Sequence, residues 1–158
     1  MFGLLKMSAL ALLAFVALAL GACGGGDERE ARNDYVRQVN NAQNEFAQTV
    51  TTVSEQITEK SSSSQDRKTL QQFQTAIGDV VTDLREIDVP PAVESEHAQL
   101  VEAMTAFGEQ IRKATAVLRN PDSRKIAEAQ RTIQSATQTV NVRVEQAIAA
   151  INSKLAQR

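Results

Sequence analysis

Tryptophan is absent from this chain of 158 residues, and tyrosine, histidine and cysteine occur once each. Without exposed aromatics there is no stacking platform for bases or sugars. Nor is there a basic stripe, since 17 Lys and Arg are set against 19 Asp and Glu for a formal net charge of −2. Nucleic acid is therefore not an expected partner. A lone cysteine cannot close an intrachain disulfide, so stability has to come from packing. A lone histidine cannot complete the paired E-x-x-H set of a di-iron helical bundle. The one run of glycines, Gly24-Gly25-Gly26, precedes no phosphate-cradling pattern, and no Gly-x-Ser-x-Gly nucleophile turn occurs. Enzyme chemistry is not expected. The three prolines fall at two places only, Pro90-Pro91 and Pro121, which leaves long stretches free to be helical.

What is present begins with residues 1–23, MFGLLKMSALALLAFVALALGAC. Lys6 precedes an apolar run from Met7 to Leu20, about 14 residues against the roughly 20 that a membrane span needs. A short charged start, an apolar run and a small-residue end are the layout of a secretory signal. The closing Leu20-Gly21-Ala22-Cys23 resembles the lipobox of bacterial lipoproteins. That resemblance implies a signal peptide 1–22 cut just before Cys23, and a diacylglycerol or acyl lipid on the Cys23 thiol as the only non-protein group. It also implies a location outside the cytoplasm, on the outer face of a cell membrane or in an outer membrane. Two other readings exist. Ala17-Leu18-Ala19 also fits an ordinary secretory cleavage site, and the run could remain uncleaved in the membrane. Residues 23–30 read as the lipidated cysteine and a flexible Gly-rich linker.

Residues 31–158 show apolar spacing of three and four throughout, which predicts helices over about 28–60, 65–87, 91–119 and 122–156. Their stripes are Tyr35, Val39, Ala42, Phe46, Val50, Val53 and Ile57; then Leu70, Phe73, Ile77, Val80, Leu84 and Ile87. Val93, His97, Leu100, Met104, Phe107, Ile111, Ala114 and Leu118 form the third. Ile126, Ala129, Ile133, Ala136, Val140, Val144, Ala147, Ile151 and Leu155 form the fourth. Ser61 to Ser64, Asp88-Val89-Pro90-Pro91 and Asn120-Pro121 separate them. The expected fold is all-α, an antiparallel up-down-up-down four-helix bundle. A homodimer formed by pairing these heptad-like helices is the other arrangement they permit.

Two polar features stand out. Glu94-Ser95-Glu96-His97 puts Glu94 and His97 on one face, and Asp79, Asp83 and Glu86 form an acidic row on the preceding helix. Asp83, Glu86, Glu94 and His97 are thus candidates for a weak cation or ligand site at the Pro90-Pro91 corner, with oxygen ligands predominating. The competing reading makes His97 a structural residue bonded to a neighbouring carboxylate or carbonyl, whose replacement by Leu leaves stability unchanged or improved. The last segment carries an excess of basic residues, among them Arg143, Lys154 and Arg158. They complement other helices of the bundle or face anionic headgroups. The functional expectation is a lipid-anchored, non-catalytic helical module that binds or spaces another envelope protein. The alternative is a sensor or carrier of a ligand or metal ion around His97.

Overall fold

The computed structural model describes residues 26–56, 63–117 and 123–157. Helix α1 spans Gly26–Gln56, α2 Ser63–Glu86, α3 Glu94–Val117 and α4 Ser123–Ala156, with one 3-10 turn at Pro91–Val93. No strand occurs among the described residues. The signal sequence, Cys23, Ser61-Ser62 and Asn120-Pro121 lie outside them, as do Ile57, Leu118 and Arg158. No helix among the described residues is long and apolar enough to cross a membrane.

One boundary differs from the sequence reading. Helix α1 starts at Gly26, two residues before the expected start near 28 and inside the stretch read as a linker. Asp27 and Glu28 occupy its first turn, where carboxylates favour the positive end of the helix dipole. Arg32 Nε donates to the Glu28 carbonyl oxygen at 3.2 Å and secures the same turn. At the other corner α2 stops at Glu86, because Val89 precedes a proline and avoids the helical region. Pro90 adopts φ −59° and ψ 137°, and the Val93 N–H donates to its carbonyl at 2.9 Å, starting the turn that leads into α3.

The four helices pack against one another, α1 on α2, α2 on α3 and α3 on α4, while the 3-10 turn sits against α3 and α4. The apolar stripes supply one core. Ile77, Val93 and Ile111 are almost wholly buried, each such side chain contributing about 1.5–3 kcal/mol. Phe73 links three helices: its ring stacks on Phe46 of α1 at 6.3 Å and meets Phe107 of α3 edge-on at 5.9 Å. Such pairs add about 0.5–1.5 kcal/mol each beyond area burial. The α3–α4 contact is the most extensive. Buried Ala103 and Ala114 on α3, and Ala129, Ala136 and Ala147 on α4, keep several buried side chains short on both helices.

The second stripe shifts by one residue from its expected start. Thr69 is buried and Leu70 only half-buried. Thr69, Phe73, Ile77 and Leu84 run along one face, and the Thr69 hydroxyl can enter it because it donates to the Gln65 carbonyl at 3.0 Å. Val81, Ala103 and Ile148 widen the stripes beyond the residues singled out by spacing.

Candidate functional site: a polar junction at the proline corner

The corner brings the first turn of α3 back against the last turn of α2. Leu84 lies in that last turn, so its carbonyl has no helical N–H four residues on, Asp88 being outside the helix. The imidazole of His97 supplies the missing donor, with Nε2 2.8 Å from the Leu84 oxygen. A carbonyl only accepts, so Nε2 carries the hydrogen and the neutral ring keeps a lone pair on Nδ1. The Tyr35 hydroxyl of α1 donates to that nitrogen at 3.1 Å. The two rings meet edge-on, 5.6 Å between centroids. One imidazole therefore ties α1, α2 and α3 together.

Burial sets the electrostatics. Tyr35 is 1% exposed and His97 6%. Desolvation lowers the His97 pKa below 6.5, and its bond to Leu84 only partly opposes this. Tyr35 is pushed well above 10, first by burial and then by the negative charge of Glu96. Glu96 turns towards α4, where Lys154 Nζ stands 2.8 Å from its Oε1. That bond holds the Glu96 carboxyl below its usual range despite the opposing effect of burial. The Glu96 side chain is 12% exposed, and its other oxygen, Oε2, has no hydrogen-bond partner among the described residues.

The four candidate ligand residues are not brought together as a set. Asp83, Glu86 and Glu94 are exposed, while His97 points inwards with both ring nitrogens bonded. Among the described residues, no group of three or more His, Cys, Asp or Glu is placed to hold a metal ion. With its lone pair held by Tyr35, the ring is poorly placed as a general base, which must reach a substrate proton. Spacing placed Tyr35 and His97 on apolar stripes but did not reveal that they meet. The available signal was that they are the only tyrosine and the only histidine, each a polar-tipped ring at a core position. The Glu96–Lys154 pair left a fainter trace in the basic excess of the last segment. Arg143 is exposed, and Arg158 lies outside the described residues. Comparison with protein-family models, with curated proteins and with solved structures finds no match.

Proposed function

We propose that this chain is an extracytoplasmic lipoprotein, held to a membrane through lipid on Cys23, whose helices form a non-catalytic module that binds or spaces another envelope protein. The observation that carries the reading is Leu20-Gly21-Ala22-Cys23 at the end of a short apolar run. A helix starting at Gly26 supports it, because regular helix then begins close to the proposed lipid site. Two or more acyl chains give stable anchoring where one gives marginal binding. Long helices with exposed polar faces suit a spacer, and a histidine saturated by internal hydrogen bonds suits a structural part.

An up-down-up-down course is part of this proposal. Leu84 near the end of α2 meets His97 near the start of α3, whereas Phe73, earlier in α2, meets Phe107, later in α3. Likewise Phe73 meets Phe46, while Tyr35, nearer the start of α1, reaches the His97 that caps the end of α2. Lys154 near the end of α4 reaches Glu96 near the start of α3. Each pairing supports reversal from one helix to the next. The Pro90-Pro91 corner then lies on the membrane side, and the two remaining connections lie away from it.

The test is gentle detergent extraction of the full lipidated protein from its own membranes, followed by identification of whatever co-purifies in stoichiometric amount. One reproducible envelope protein, lost when exposed residues on one helix face are changed, is the expected result. A chain that extracts alone under every mild condition would contradict the binding role.

A further inference from the structure

We propose that the Tyr35–His97–Leu84 junction is an acid-sensitive latch: protonation of His97 releases the first half of α1 from the α2–α3 pair while the rest of the bundle stays folded. The inference begins with hydrogen-bond polarity. At neutral pH, His97 gives a hydrogen to Leu84 and receives one from Tyr35. Adding a proton to Nδ1 turns that acceptor into a donor facing a hydroxyl that was itself donating. The Leu84 bond survives, because Nε2 keeps its hydrogen. The Tyr35 bond must reverse, leaving a hydroxyl hydrogen to be placed elsewhere in a site where Tyr35 is 1% exposed. The strain therefore falls on the contact with α1 and not on the α2–α3 corner.

The surroundings supply little charge compensation. From α1 the titratable group is Tyr35 itself. α2 presents the Leu84 carbonyl, with Asp83, Arg85 and Glu86 all exposed around it. On α3 the nearby charges are Glu94, exposed one turn before His97, and Glu96, already engaged by Lys154 of α4. An imidazolium here is thus buried without a counter-charge of its own.

The packing decides which element gives way. Residues 26–34 of α1 include no buried side chain, and Tyr35 is the first. Val39 and Ala42 follow before the larger Phe46. At the same end of the molecule α3 and α4 are held by Val93, Leu100, Ile151 and Leu155. Elements with few buried apolar contacts open first. The latch does not depend on the membrane role proposed above.

Composition makes the test direct. With one histidine, one tyrosine and no tryptophan, the imidazole resonances report only His97 and tyrosine emission reports only Tyr35. The full chain in detergent is followed from pH 7.5 to 4.5 by imidazole NMR, tyrosine fluorescence and amide exchange corrected for its intrinsic pH dependence. Above the transition the expected ring is the Nε2–H tautomer. Protonation of His97, the change in Tyr35 emission and loss of protection over residues 35–42 should share one midpoint. Protection there should fall by up to about ten-fold for each pH unit by which that midpoint lies below 6.5, while α3 and α4 stay protected. In H97Q, which keeps a donor for Leu84 but cannot titrate, the pH step in α1 should vanish. Three results each overturn the proposal: protection of α1 that is flat across the titration, simultaneous loss from all four helices, or a step retained in H97Q. The wild-type titration alone decides the matter if H97Q does not fold.

Discussion

His97 is the residue on which the corner depends, and its bonds change what its replacement should do. The sequence favoured a structural histidine whose change to Leu is neutral or helpful. In the structure a leucine leaves the Leu84 carbonyl and the Tyr35 hydroxyl buried without partners, and each such group costs about 1–3 kcal/mol. His97→Leu is therefore expected to destabilise the protein by roughly 2 kcal/mol or more in urea denaturation. The pH dependence follows from the same site. The folded histidine holds its proton less tightly than the unfolded one, whose value is 6.5, so the unfolded state gains protons first as pH falls. The stability His97 contributes is complete above 6.5 and declines as pH falls towards its lowered folded value. Glu96 acts later: its lowered carboxyl contributes above its ordinary 4.5 and is lost as pH falls through the folded value. Urea midpoints measured across pH 8 to 3 should begin to fall below 6.5 through His97 and fall further below 4.5 through Glu96, the earlier fall missing in H97Q. Spacing could reveal that both rings are core residues, but not this bond, because it joins side chains 62 positions apart through the register of α1 on α3.

At the scale of the element, two glycines make opposite predictions. Gly78 lies mid-way along α2, exposed, with nothing within 4 Å of an added Cβ. Gly78→Ala should raise stability by about 0.5–1 kcal/mol, because alanine loses less backbone freedom on entering a helix. Gly108 lies in α3, where a Cβ stands 3.0 Å from Ile77 Cγ2, inside a normal contact. Ile77 is 1% exposed and has little room to yield. Gly108→Ala should forgo the helical gain and cost about 1–3 kcal/mol by overpacking, read from thermal melts beside G78A. Helix existence was legible because apolar spacing of three and four persists along each segment and proline marks the corner. The start of α1 was less legible: Gly24-Gly25-Gly26 reads as tether, yet Asp27, Glu28 and Arg32 carry the helix back to Gly26. Thr69 was missed because a hydroxyl counts as polar by pattern, although a bond to Gln65 lets it be buried.

For the whole molecule, packing and anchoring divide the work. The described residues form a helical bundle with one continuous core, and the Tyr35–His97–Leu84 bonds join α1, α2 and α3 at one corner of it. The proposed anchor belongs to the other part of the chain, and only its residue pattern speaks for it. The measurement that tests the central claim most directly is mass spectrometry of the N-terminal peptide from the full chain expressed in bacteria and recovered from membranes. The account predicts a mature chain beginning at Cys23, with a diacylglyceryl group on its sulfur, and a Cys23→Ala variant that escapes lipidation. A released chain cut after Ala19, carrying a free Cys23 thiol, would contradict it.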